Sequence, residues 1–261
     1  MTILPLWYRE YGDAAATATP VMLLHGLFGS SDNWHGIARQ VAEQRRVLAI
    51  DLRNHGRSPW SREMSYPAMA ADLIALIERL KMGRVALVGH SMGGKVGMWL
   101  ALSQPHLVER LMVADMAPAT YPRRFSSIVD ALTGLDLRSI TRRCDADDRL
   151  SRQLSSKAVR DYLLKNLVAG GDGWRWRMNL AALARGMEVL RAFPEAGGRQ
   201  YPGPTLFLYG TESDYVSAEH LVSIRTLFPL ARLRPVPGAG HWVYADRPQT
   251  FLRALLAFLR A

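Results

Sequence analysis

Cysteine is almost missing from this 261-residue chain: Cys144 stands alone, so no disulfide can form within it. A reducing compartment is the simplest reading. Long apolar runs are missing as well; none approaches the ~20 residues of a membrane-spanning helix. The first residues lack the basic and apolar regions of a secretory signal. Instead Met1 to Tyr11 alternate apolar and polar side chains, as the start of a strand does. There are no internal repeats and no low-complexity tract beyond a small Ala/Thr turn at Ala14 to Thr19. Together these absences predict a cytoplasmic protein with no integral membrane segment. Acidic residues are in short supply too. There are 33 Lys and Arg against 23 Asp and Glu, a net charge of +10. Such an excess can serve nucleic acid or anionic surfaces. Here the arginines are scattered along the chain in short pairs, Arg45-Arg46, Arg123-Arg124 and Arg142-Arg143, with no nucleic-acid motif beside them. A solvated arginine-rich surface is therefore expected, and a nucleic-acid partner is not.

Apolar residues are abundant, at 49% of the chain, enough for one large α/β domain or a core plus an insertion. Apolar runs at Val21–Leu24, Arg46–Ile50, Val85–Val88, Leu111–Ala114, Thr205–Tyr209 and Arg232–Val236 read as strands. Helical periodicity appears at Pro67–Leu80, Gly94–Gln104, Ala218–Leu227 and Pro248–Leu259, and more weakly at Asn33–Glu43. Continuous apolar strands alternating with helices predict a doubly wound, mostly parallel sheet covered on both faces. Between Ala119 and Gly203 the alternation stops. Helical periodicity persists there without a convincing strand, and Trp174 and Trp176 stand beside Gly170, Gly171 and Gly173. This stretch reads as a helical cap, residues 119–203, inserted into a core made of residues 1–118 and 204–261. Between Tyr121 and Gln200 it holds 15 Lys and Arg against 9 Asp and Glu.

The most informative residues are Gly89-His90-Ser91-Met92-Gly93, between a predicted strand and a predicted helix. A Gly-x-Ser-x-Gly run in that context is a nucleophile elbow. The tight turn strains the serine, and side chains at the flanking glycine positions would collide with neighbouring backbone. The helix N-terminus behind the serine favours negative charge. A serine hydroxyl needs a base, a group to orient that base, and donors for the oxyanion. Of seven histidines, His241 in Gly238-Ala239-Gly240-His241-Trp242 is the candidate base, because it follows the last predicted strand. His25, His55 and His90 sit in glycine turns, where structural hydrogen bonding is the ordinary role. His35, His106 and His220 lie on helices or at their ends.

The expected oxyanion donors are the N–H of Met92, just after the serine, and that of Leu27 in His25-Gly26-Leu27-Phe28-Gly29, with Phe28 as the alternative. Two aspartates follow strands at the end that faces the crevice of such a sheet: Asp115, and Asp214 in Gly210-Thr211-Glu212-Ser213-Asp214. The sequence permits either as the orienting acid. Asp51 also ends a strand but precedes the serine, and reads as an organiser of its own loop. Lys95, on the helix after the elbow, has the ordinary role of packing its stem and pairing its charge. Phe28, Trp242 and Tyr244 are the expected lining of a substrate pocket, although each could equally be core.

These residues resemble the α/β-hydrolase superfamily along essentially the whole chain. Asp51-Leu52-Arg53-Asn54-His55-Gly56, Asp115-Met116-Ala117-Pro118 and the Lys95 after the double glycine resemble one branch of it. That branch holds the bacterial YbfF-type esterases and the mitochondrial α/β-hydrolase-domain-containing protein eleven. The resemblance implies an eight-stranded, mostly parallel sheet under a helical cap. It also implies hydrolysis of a small carboxylic ester or acyl thioester with no cofactor and no metal; no oligomeric state is implied. The bacterial members place the acid where Asp115 stands, and the wider superfamily where Asp214 stands; this chain has both. Acyl transfer, carbon–carbon bond hydrolysis and perhydrolysis would use the same Ser–His–acid set. A receptor that only binds ligand would normally lack one member of it. Haloalkane dehalogenases and epoxide hydrolases need a carboxylate where Ser91 stands.

Overall fold

The computed structural model describes residues 2–171 and 173–261. The apolar runs of the sequence form its central sheet. In chain order these are β1 (Tyr8–Tyr11), β2 (Val21–Leu24), β3 (Val47–Ile50), β4 (Val85–His90) and β5 (Val108–Ala114), followed after a long insert by β8 (Thr205–Gly210) and β9 (Ala231–Val236). Their spatial order is β1-β3-β2-β4-β5-β8-β9. β1 runs antiparallel to β3, and every other pairing is parallel. All residues of β2, β3 and β4 are buried, which is why these strands read as unbroken apolar runs.

Among the described residues the sheet has seven strands, not the eight implied by the resemblance. The chain before β1 adds none, and two of its N–H groups bond to side chains instead. Leu4 N donates to Asp72 Oδ1 at 2.7 Å and Trp7 N to Ser58 Oγ at 2.9 Å. The strand expected from the alternation of Met1 to Tyr11 is confined to its last four residues, and Met1 lies outside the described residues.

Helices cover both faces. On one face lie α2 (Tyr66–Arg79) and α3 (Met92–Ser103). α2 begins where Ser65 Oγ accepts from Ala68 N, and it buries Met69, Leu73, Leu76 and Ile77 along one stripe. On the other face α1 (His35–Val41) and the C-terminal α10 (Pro248–Arg260) enclose a second apolar cluster around Trp34, Val41, Phe251 and Leu255.

The insert between β5 and β8 holds α4 (Ser126–Thr133), α5 (Arg143–Ser151), α6 (Lys157–Leu164) and α7 (Leu180–Arg191). It also holds a two-stranded antiparallel hairpin, β6 (Leu167–Gly170) and β7 (Gly173–Trp176), where no strand was expected. Each strand has only four residues, too few for alternation to register against the surrounding helical pattern. Gly173 opens β7 with φ 108°, a conformation that glycine alone adopts without strain. Trp176 packs inward as core, and Trp174 Nε1 donates to Thr141 O. The two remaining helices, α8 (Leu221–Leu227) and α9 (Val243–Asp246), flank β9.

Candidate active site

The strand order fixes which loops meet. The chain passes from β2 out to β3 and then back across to β4, so the order reverses between β2 and β4, and a crevice opens at their carboxyl ends. Across β2, β4, β5, β8 and β9, the segments beyond the carboxyl ends carry in turn Leu27, Ser91, Asp115, the Gly210–Asp214 loop and His241. Residues far apart in sequence become neighbours because adjacent strands end together.

Ser91 follows β4 directly and has φ 51° and ψ −117°, a strained conformation for a residue with a side chain. Its N–H still donates to Ala114 O of β5 at 3.1 Å, so the sheet holds one side of the turn. The flanking glycines are a steric requirement. A Cβ at Gly89 would overlap the backbone of Gly93, and one at Gly93 would overlap the carbonyl oxygens of Leu24 and His25. No hydrogen bond joins Ser91 Oγ to His241 Nε2 among the described residues. Such contacts commonly tighten only when substrate is bound.

Asp115 follows β5 as Ser91 follows β4, again with positive φ, at 50°. Its carboxylate is fully buried. Oδ2 lies 2.7 Å from His241 Nδ1 and accepts from Ser213 Oγ, while Oδ1 accepts from Gly210 N at 3.1 Å. Asp214 points elsewhere. It is exposed and pairs with Arg124, whose hydrogen bond holds its carboxyl below the ordinary value. The loop after β8 thus reaches the imidazole through Gly210 and Ser213. The imidazole of His241 is stacked on the Tyr215 ring, with centroids 4.0 Å apart, and lies 4.7 Å from the His90 ring. His90 Nε2 donates to His241 O at 2.9 Å, and burial holds His90 neutral, far below the ordinary histidine value.

The loop after β2 is held by two more buried histidines. His25 accepts from Leu52 N through Nε2 and donates through Nδ1 to Gly26 O; His55 accepts from Phe28 N through Nε2 and donates to Arg53 O. Burial lowers them to about 4 and about 3, so both stay neutral and keep these donor and acceptor roles. The Phe28 N–H is therefore already engaged. Among the described residues the N–H groups of Leu27 and Met92 have no such partner. Asp51 does more than organise its own loop: it accepts from Arg57 N within that loop and from Ser31 N in the segment after β2, so it ties the two together.

Beside Ser91 lies an apolar cavity of about 30 Å³, lined chiefly by Leu27, Met92, Met116, Phe125 and Met187. That is room for roughly one or two water molecules. Phe28 stands behind it, with its ring edge against Phe125. Trp242 and Tyr244 do not line it. They face a separate cavity between α1, α6 and α10, and Tyr244 packs on Trp34 and Phe251. Lys95 does reach the Ser91 cavity. Its buried ammonium donates to Ala119 O, Arg191 O and Ala192 O at 2.8–2.9 Å and lies over the Tyr121 ring. Burial pulls it down to about 7.

Sequence reasoning did not single out Ser213 or Tyr215, nor Tyr162 and Asn166 of the insert, which bond to the Leu27–Phe28 loop. They are ordinary loop and helix residues without a motif. Among the described residues no group of three His, Cys, Asp or Glu side chains is placed to hold a metal, and no helix is long and apolar enough to cross a membrane.

A family model described as alpha/beta hydrolase fold matches residues 19–248. The sn-1-specific diacylglycerol lipase ABHD11 of Mus musculus is 42% identical over 265 residues, covering 98% of this chain and 85% of that protein. Esterase YbfF of Escherichia coli (strain K12) is 35% identical over 246 residues, covering 92% and 93%. A solved structure described as a marine microorganism esterase superposes with a TM-score of 0.92 at 37% identity, covering 98% of this chain and 99% of that one.

Proposed function

The chain belongs to the α/β-hydrolase fold family, and from that premise we propose that it is a carboxylic ester hydrolase whose triad is Ser91, His241 and Asp115. The observation that carries the assignment is the 2.7 Å contact between Asp115 Oδ2 and His241 Nδ1, at the strand end next to the Ser91 elbow. The contact keeps the proton on Nδ1 and leaves Nε2 free as the base.

In this reading His241 Nε2 takes the Ser91 proton as Oγ attacks the ester carbonyl carbon. The carbonyl π electrons move to oxygen, and that oxyanion is met by the N–H groups of Leu27 and Met92. Collapse of the tetrahedral species breaks the bond to the leaving oxygen, or to sulfur in a thioester. The imidazolium gives that atom its proton. Water then attacks the acyl-enzyme, losing a proton to His241, and a second collapse returns the proton to Ser91 and releases the acid. Asp115 stays ionised throughout and stabilises the imidazolium, while the Tyr215 ring limits where the imidazole can turn.

The apolar lining beside Ser91 suits an acyl group, and residues 119–203 act as a cap over a core of residues 1–118 and 204–261. The cavity is far below the ~300 Å³ of a small-molecule site, so accommodating a substrate requires its lining to move, and the insert side chains Phe125 and Met187 are part of that lining. A small ester or acyl thioester in the cytoplasm is the substrate setting; the compartment rests on the single cysteine. The test is covalent labelling with a fluorophosphonate. Wild type should be labelled and should hydrolyse p-nitrophenyl esters, and Ser91→Ala should do neither. Labelling that persists in Ser91→Ala would overturn the assignment.

A further inference from the structure

The loop that carries Leu27 is strained. Phe28 has φ 61°, a left-handed conformation that a bulky side chain rarely adopts, and it holds only where the surroundings impose it. The restraints can be followed peptide by peptide. In the peptide between Gly26 and Leu27, the carbonyl oxygen accepts from Gly29 N at 3.0 Å and from His25 Nδ1 at 2.8 Å. In a trans peptide the N–H points opposite to the C=O, so the Leu27 N–H is directed away from that bonded oxygen. In the next peptide Leu27 O accepts from Tyr162 Oη at 3.0 Å, and Phe28 N donates to His55 Nε2 at 3.2 Å. In the one after, Phe28 O accepts from Asn166 Nδ2 at 2.7 Å, and Gly29 N returns to Gly26 O.

Three successive peptide planes are therefore fixed. The core holds Gly26 O and the Phe28 N–H, and the insert holds Leu27 O and Phe28 O. Tyr162 lies in α6 and Asn166 two residues beyond it. The Tyr162 ring also packs on Trp242, 5.4 Å between centroids, directly after the base.

We infer that Tyr162 and Asn166 are positioning residues for the oxyanion donor, so that the insert sets the Leu27 N–H in place when it closes over Ser91. This rests on the proposed reading of Ser91 and Leu27 as nucleophile and donor. Its consequence is that any movement of α6 away from the core releases two of the bonds that hold the strained loop. Assembly of the oxyanion site and closure of the insert become one event. An orienting bond matters most when negative charge develops, so its loss should appear in kcat more than in KM.

The experiment uses the full chain and the variants Tyr162→Phe, Asn166→Leu and the double. Tyr162→Phe keeps the ring against Trp242 and removes only the hydroxyl. Each is assayed for kcat and KM on a p-nitrophenyl ester and for inhibition by an alkyl trifluoromethyl ketone, which forms a tetrahedral oxyanion on a serine. Each single variant should lose about tenfold in kcat, with KM changed less than twofold, and ketone affinity should fall in parallel; removing an oxyanion donor outright costs about 10²–10³. Amide hydrogen exchange supplies a readout independent of turnover: Phe28 should exchange about tenfold faster in both variants while Leu23 in β2 is unchanged. This scale takes each lost bond as about 1.4 kcal/mol. Variants with wild-type kcat and ketone affinity, or with losses confined to KM, would overturn the inference. If wild type itself fails to bind the ketone, or Ser91→Ala still binds it as tightly, the underlying reading of the site falls and the inference with it.

Discussion

Replacing Asp115 by asparagine isolates one charge in one buried place. The carboxylate has no exposed surface, and its two oxygens are shared among Gly210 N, Ser213 Oγ and His241 Nδ1. An asparagine fits the same volume. Its oxygen can keep the Gly210 N–H, and its NH₂ group then faces Ser213 Oγ, which can accept, and His241 Nδ1. To accept there, the imidazole must carry its proton on Nε2, the nitrogen required as the base. The wrong tautomer at a triad costs about 10⁴ in kcat, or roughly 5 kcal/mol of transition-state stabilisation. Asp214→Asn removes only an exposed partner of Arg124, an interaction worth at most about 1 kcal/mol, so its rate should stay within roughly fivefold of wild type. Initial rates on p-nitrophenyl acetate for both variants, beside thermal melts, decide the matter. A large loss in Asp214→Asn with near-normal Asp115→Asn would refute the reasoning. So would a loss in Asp115→Asn that only follows unfolding.

Lys95 gives a pH dependence of defined sign. Burial lowers it from 10.5 to about 7, so between those values the unfolded chain binds the extra proton and stability from this group rises with pH, by up to about 1.4 kcal/mol per unit. Melting curves of wild type and Lys95→Met at pH 6.5, 8 and 9.5 should show wild type gaining relative to the variant as pH rises; a gap constant with pH would contradict this. Trp176→Ala removes a ring buried within the insert and away from the Ser91 cavity, so it should lose about 3–5 kcal/mol of stability without changing relative kcat/KM across acyl lengths. Phe125→Ala or Met187→Ala, by contrast, enlarges that cavity and should shift preference toward longer acyl chains in an ester panel, a result that equal changes at every length would exclude.

The parallel sheet was legible because β2, β3 and β4 are buried on both faces and so are apolar throughout Val21–Leu24, Val47–Ile50 and residues 85–88. Ser91 stood out because its turn tolerates only glycine on either side, and His241 because it follows the last strand. The acid could not be separated from its rival in the same way. Both aspartates lie past strand ends, and what distinguishes them is conformation. Asp115 is the first residue after β5, turned inward at φ 50°, while Asp214 lies four residues beyond β8 on the exposed rim. The rest of the site was hidden for a related reason. Ser213, Tyr215, Tyr162 and Asn166 matter through which atom they touch, and no periodicity or motif encodes that. The β6–β7 hairpin is simply too short to leave a pattern.

The hydrogen bonds from Lys95 to the insert all end on main-chain oxygens: Ala119 where the insert leaves the sheet, Arg191 and Ala192 where α7 ends. A carbonyl oxygen is present whatever residue bears it, so this anchor places no demand on the identity of those three residues. A foreign insert spliced between positions 119 and 191 would meet the same ammonium, presented from the helix that begins just after Ser91. The clasp therefore fixes the path of the backbone at both ends of the insert, and the sequence between them answers to other contacts, those of Tyr162 and Asn166 with the Leu27–Phe28 loop among them.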